Sequence, residues 1–360
     1  MSFEGTNLRG WSRRAAVVFL GAAFVLFAAA DGRSSERSVA IGYLPIPGPW
    51  LAAVGDGAFE RETGYAIQWV RFDSDAQAIQ SLHDGKIQLT YAGSTSIAVG
   101  LSGGADMELF WVAADTGFAE ALVVKNESKI VAPRQLHGKR IGTQYWSTNH
   151  SNLLFVLDQF NITEEQTKIY PLTPDEIVAH WKSGGLDAAF VSYPALDKLK
   201  LDGKVLIWSE WLNSWGKATF DGFVADRRWS SAHPEFMTKF AGLVDAANAD
   251  YRSNPARWTG ASREVRTLAR MLGGQPNVVP MLGVIRLPNL EEQLSPDWLG
   301  GGAAGTAAGS LRVTALFLER FGMIPKTLAD YSRFVSPKWV QAASAEQEKR
   351  KRAGPDPFKR

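Results

Sequence analysis

The 360-residue chain contains no cysteine. That excludes disulfides, thiolate metal sites, a cysteine nucleophile and a lipid-modified N-terminal cysteine. Histidine is scarce: His83, His137, His150, His180 and His233 are all there are. None stands in ligand spacing with another histidine or a carboxylate, so neither a metal nor a cofactor is expected. HExxH, a GxSxG elbow and a GxGxxG after a strand are missing. Gly300–Gly309 (GGGAAGTAAG) lacks the Lys-Ser or Lys-Thr of a phosphate loop and reads as a loose lead-in to a helix. Net charge is small as well, and the formal +2 sits at the ends. Residues 1–30 carry Arg9, Arg13 and Arg14 against Glu4, residues 346–360 carry six basic against three acidic side chains, and the body between is slightly acidic. That is not the footprint of a nucleic-acid binder.

What is present is an ordinary globular composition, 45% hydrophobic and 21% charged, in a chain long enough for two domains with substantial cores. Ahead of them, the three arginines precede an apolar run, Ala15–Ala30, that ends in small residues before Asp31. This is the pattern of a secretory signal over residues 1–30, cleaved after Ala28-x-Ala30, and the run is short for a membrane span. Ser12-Arg13-Arg14 leaves the export route open between two systems.

From Val39 onward, strand and helix patterns alternate. Strands are expected at 39–43, 66–72, 87–91 and 107–113, then at 139–143, 167–171, 186–191 and 204–208. Helices are expected between them, including 50–62, 75–83, 95–101 and 150–160. Short extended runs at 121–125 and 220–225 bracket the second set, and the chain beyond 225 is mostly helical. The class is α/β, in two lobes joined by two crossing strands. Lobe 1 is discontinuous, 38–122 and 223–341, and lobe 2 is 126–219. The charged stretch 345–360, with Pro355 and Pro357, reads as a disordered basic tail.

In open α/β sheets, ligands sit at the carboxyl ends of strands. Four such places carry small polar groups: the turn Tyr43–Trp50 (YLPIPGPW), Gly93-Ser94-Thr95-Ser96, the stretch Thr143–His150 (TQYWSTNH) and Ser192-Tyr193-Pro194. In the third, Ser147 or Thr148 caps a helix whose free N–H groups suit an anion, and Tyr145 and Trp146 can wall an apolar body beside it. Taken singly, each place is explained more readily as an ordinary turn than as a site. Asp221 stands apart, because a carboxylate between Phe220 and Phe223 is costly unless paired. An internal Lys or Arg, simple exposure and a ligand's ammonium all remain open for it.

The chain also resembles the periplasmic taurine-binding proteins of bacterial ABC importers, within the sulfonate/nitrate/thiamine-precursor binding family. The resemblance spans roughly 38–341. It rests on Trp69-x-x-Phe72-Asp73-Ser74, Gly93-Ser94-Thr95-Ser96, Glu120–Lys125 (EALVVK), Gly138–Gly142 (GKRIG), Ser147-Thr148-x-His150, Ala179-x-Trp181-x-x-Gly184, Asp202–Leu206 (DGKVL), Trp215-Gly216, Asp221 and Asp330-Tyr331-Ser332. It implies a type II periplasmic binding protein fold. Ser94 and Thr95 would meet a sulfonate from one lobe, Ser147 and Thr148 from the other, and Asp221 would take the ammonium. Trp146, bulkier than the family pattern, would narrow the pocket. Tyr193, with Ser192 in place of a Trp-Ala pair, would widen it, and Tyr43 would complete the first-lobe wall. The expected protein is a periplasmic receptor for taurine or a similar aminosulfonate, a monomer that hands its ligand to permease subunits. Its rivals are a receptor for alkanesulfonates or other small organic anions, which needs no Asp221, an enzyme on the same scaffold using Asp221 and His150, and a tethered sensor if residues 1–30 are retained. N-terminal sequencing of the exported protein should begin at Asp31; a start at Met1 would favour the sensor.

Overall fold

The computed structural model describes residues 37–274 and 278–353. The signal-like segment 1–30 and residues 354–360 lie outside them. Ten strands are present: β1 (Ser38–Tyr43), β2 (Ala66–Arg71), β3 (Leu89–Gly93), β4 (Met107–Asp115), β5 (Glu120–Lys125), β6 (Arg140–Thr143), β7 (Lys168–Pro171), β8 (Ala188–Ser192), β9 (Gly203–Trp208) and β10 (Phe220–Asp226). They form two five-stranded sheets, ordered β2-β1-β3-β10-β4 and β7-β6-β8-β5-β9. In each sheet the fourth strand is antiparallel to both neighbours, β10 to β3 and β4, and β5 to β8 and β9. The two sheets therefore share one topology, and each accepts one reversed strand where the chain crosses between lobes.

The inner strands form where the sequence supplies short apolar runs that suit burial on both faces, whereas β2 and β7, at the sheet edges, are largely accessible. Leu109–Val112 of β4 and Ala121–Val124 of β5 are wholly inaccessible to solvent. The first core packs Ile41, Leu89, Phe110, Phe223 and Phe240 around Trp50. The second sheet has a core on each face, one around Leu122, Leu153 and Phe190 and the other around Val123, Trp181 and Leu196. Among the described residues, no helix is long and apolar enough to cross a membrane.

Three expectations need correction. The runs 121–125 and 220–225 do not bridge the lobes, because β5 and β10 lie inside the second and first sheets and the chain crosses at 116–119 and 214–219. The helix expected at 50–62 breaks into Pro49–Gly55 and Ala58–Thr63, with Gly57 left-handed at φ 65°. The tail expected to be disordered from Ala345 is helical as far as Ala353, within a helix that begins at Lys338.

That last helix is held by a buried carboxylate. Glu108 of β4 accepts hydrogen bonds from Ser230 Oγ (2.7 Å) and Trp339 Nε1 (2.8 Å), and Lys338 Nζ lies 3.0 Å away. Removing it would strand the buried Trp339 N–H, at about 1–3 kcal/mol, and break the ion pair with Lys338, while Ser230 Oγ keeps the Arg227 carbonyl as an acceptor. Glu108→Ala should therefore lower the unfolding free energy by about 3 kcal/mol. Chemical denaturation followed by tryptophan fluorescence measures this, and an unchanged midpoint would show that Glu108 does not anchor the helix.

Candidate functional site

Between the lobes lies a cleft of about 190 Å³. The first lobe contributes Pro45, Ile46 and Pro47 after β1, Asp75, Tyr91 and Gly93, Thr116 beyond β4, and Asp221. The second contributes Glu120, Gln144, Ser147, Thr148, Asn149, Ser192 and Tyr193. These are strand ends and the turns that follow them, where open parallel sheets collect their ligands.

Asp221 is placed by a bulge. The pairing of β10 with β4 shifts register between Asp221 and Gly222, and such a bulge re-aims the neighbouring side chain. Gly222 is required there because a Cβ would come within 2.5 Å of Leu109 Cδ1 and 3.0 Å of the Trp111 carbonyl oxygen. Asp221 is buried and accepts a hydrogen bond from the Tyr91 hydroxyl on Oδ2 at 2.7 Å. Its other oxygen faces Gly93. A Cβ on Gly93 would stand 3.3 Å from Asp221 Oδ1, 3.3 Å from Thr148 Cγ2 and 3.7 Å from Asp75 Oδ1. The glycine thus opens a point shared by two carboxylates of one lobe and a threonine of the other.

Burial raises the Asp221 carboxyl to about 7, with the Tyr91 hydrogen bond opposing the shift and the charge of Asp75 reinforcing it. Asp75 is raised by the same desolvation, opposed by its hydrogen bond from the Gly93 N–H. Glu120 is pushed up to about 8, chiefly by burial. Thr148 Oγ1 donates to its Oε1 at 2.6 Å and Asn152 Nδ2 to its Oε2 at 3.1 Å. Behind it, Lys217 is fully buried and lowered to about 8 by desolvation, with Glu120 acting against that shift. Its Nζ donates to Asn152 Oδ1 and to Ser151 Oγ.

No lysine or arginine among the described residues lines the cleft. Nor is any group of three or more His, Asp or Glu placed to hold a metal ion. The site as built is a small chamber with carboxylates facing in and with neutral donors at the start of the Thr148–Gln159 helix.

The expected residues are distributed unevenly. Ser147, Thr148, Asp221 and Tyr193 line the cleft. Ser147 caps its helix, accepting from the His150 N–H, while its hydroxyl donates to the Gln144 carbonyl. Thr95 and Ser94 begin the Ser94–Ser102 helix but do not line the cleft, and the Thr95 hydroxyl is engaged with Ser151 Oγ across the lobes at 2.7 Å. Tyr43 is buried at the end of β1 behind Pro45–Pro47. Trp146, half-exposed and left-handed at φ 63°, lies on a separate groove with Ile79, His83 and Val99. His150 is not in the cleft; it stacks on Tyr145 at 4.0 Å and burial lowers its pKa to about 4, so it is neutral. Sequence reasoning missed Asp75, Tyr91, Glu120 and Lys217. A carboxylate opening an apolar strand was the one available signal, at Glu120.

The sequence and the fold match known proteins. The model of the NMT1/THI5-like family matches residues 49–257. The taurine-binding periplasmic protein of Escherichia coli is 34% identical over 89% of this chain and 96% of its own length. The chain belongs to this family. The periplasmic aliphatic sulphonate binding protein SsuA of Escherichia coli shares its fold at a TM-score of 0.69, with 22% identity over 84% of this chain and 92% of that one. The desulfurization enzyme DszB also shares the fold at a TM-score of 0.59, with 14% identity over 86% of this chain and 99% of that one. Likeness at such identity carries the architecture alone. The relative matched at 34% identity is a binding protein, and this chain is read as a binding protein, not an enzyme.

The buried carboxylates set a pH dependence. Asp221 and Glu120 have folded-state pKa values near 7 and 8, above their unfolded values. Their contribution is complete below the unfolded pKa and is lost as pH rises through the folded one. Between pH 6.5 and 8 the melting temperature of the ligand-free protein should fall. Calorimetric scans across that range test it, and a rise would contradict the burial of these groups as ionisable carboxyls.

Proposed function

We propose that the protein is a periplasmic receptor for taurine or a close aminosulfonate, which it delivers as a monomer to the permease subunits of an ABC importer. The observation that carries the reading is the polarity of the cleft. One end offers the neutral backbone N–H groups at the start of the Thr148–Gln159 helix, and the other offers the buried carboxylate of Asp221. A sulfonate is unprotonated at any biological pH, so such donors suffice without an arginine. A buried carboxylate with a hydroxyl as its only neutral partner is relieved by an ammonium. The 34% identity to a protein named for taurine binding supports the same ligand class.

Closure of the lobes about 116–119 and 214–219 would enclose the ligand. At the outward linker the Gly117 carbonyl accepts from the Glu210 N–H at 2.9 Å, and the glycine leaves room for the Glu210 side chain.

Titration calorimetry with taurine and with ethanesulfonate tests the reading. Taurine should bind at least about tenfold more tightly, and Asp221→Asn should erase that preference by weakening taurine alone. Because an ammonium pairs with the ionised carboxylate, taurine affinity should also rise from pH 6 to pH 8, through the Asp221 pKa of about 7. Equal binding of the two sulfonates by the parent protein would leave a general sulfonate receptor.

A further inference from the structure

The Asp221 reading leaves a second carboxylate unexplained. Asp75 opens the helix that Ser74 caps, and its Oδ1 accepts the Gly93 N–H at 2.7 Å. Gly93 is the residue on which the Ser94–Ser102 helix starts. A sulfonate docked at that start would compete for the Gly93 N–H and lie against a like charge. The first-lobe helix start is thus unsuited to an anion.

The same spot suits a cation. Asp75 Oδ1 and Asp221 Oδ1 lie within 3.7 Å of one point above Gly93. The third carboxylate is not free to join them, since Glu120 has both oxygens engaged by Thr148 and Asn152 and is offset by Lys217. Two further cleft-lining side chains, each more than nine-tenths buried, have an oxygen without a partner among the described residues: Thr116 Oγ1 and Asn149 Oδ1. The Asn149 oxygen can only accept a hydrogen bond. Asn149 thus leaves a buried acceptor unmet on a residue that lines the cleft.

We propose that Asp75 and Asp221 form a two-carboxylate cation subsite and that Asp75 is a specificity-determining residue, selecting sulfonates with an ammonium or guanidinium end and rejecting those without one. This deepens the aminosulfonate reading and rests on it. It also fixes the ligand's direction, cationic end on the first lobe and sulfonate on the Thr148–Gln159 helix start. Asp221 grips the cation, and Asp75 adds a second acceptor while repelling any bare anion.

The test is calorimetry on the full mature chain, parent and Asp75→Asn, with taurine and ethanesulfonate. Asparagine keeps an oxygen for the Gly93 N–H and removes only the charge. Taurine should weaken about tenfold while ethanesulfonate tightens, a divergence that a merely structural role would not produce. Asp75→Ser, which also retains an acceptor, should give the same divergence if the asparagine variant fails to fold. Parallel changes for both ligands, or none, overturn the assignment. If the parent protein binds neither sulfonate, the receptor reading itself fails and this one falls with it.

Discussion

The structure turns on a buried carboxylate whose direct partner is a neutral hydroxyl. Asp221 sits between β3 and β4, with the Tyr91 hydroxyl on one oxygen and a second carboxylate near the other. Holding charge in such a place is unfavourable unless a cation arrives, and the raised pKa of Asp221 expresses that cost. The register shift between Asp221 and Gly222, the bare Cα of Gly93 and, among the described residues, the absence of a lining lysine or arginine all serve the same arrangement.

The network behind the cleft ties that chemistry to the hinge. Glu120 begins the strand that leaves the outward linker, and Lys217 and Thr219 lie on or beside the return linker. Asn152 joins them: its Nδ2 donates to Glu120, Ser209 and Thr219, and its Oδ1 accepts from Lys217. Thr148 connects the same Glu120 to the helix start that lines the cleft. Buried networks of this kind are stable when every member is satisfied and fragile otherwise. Thr148, which lines the cleft, is therefore one hydrogen bond from Glu120, the first residue of the strand that follows the outward linker.

The same two-lobed fold carries sulfonate-binding proteins and a desulfurization enzyme. What separates them must lie in the site. Here His150 is neutral, stacked on Tyr145 and not among the residues that line the cleft.

Much of the fold was legible in the sequence. All ten strands occupy segments whose apolar runs and alternation marked them, because a strand buried on both faces must be continuously apolar. The helix start at Ser147 was legible from its capping residue, and Asp221 from being a charge in an apolar strand. What the pattern misassigned was long-range. β5 and β10 looked like bridges because crossing and insertion into a sheet leave the same short apolar run. Trp146 and Tyr43 looked like pocket walls because an aromatic beside a turn does not say which way it points. The linear sequence by itself determined the α/β class, the strand order along the chain and the odd carboxylate. Only the tertiary structure decided which groups meet that carboxylate: Tyr91, 130 residues away along the chain, Asp75 across Gly93, and Glu120 with Lys217 behind it. Local patterns report burial and periodicity, whereas a site is a set of distances between segments, and those exist only once the sheets are assembled.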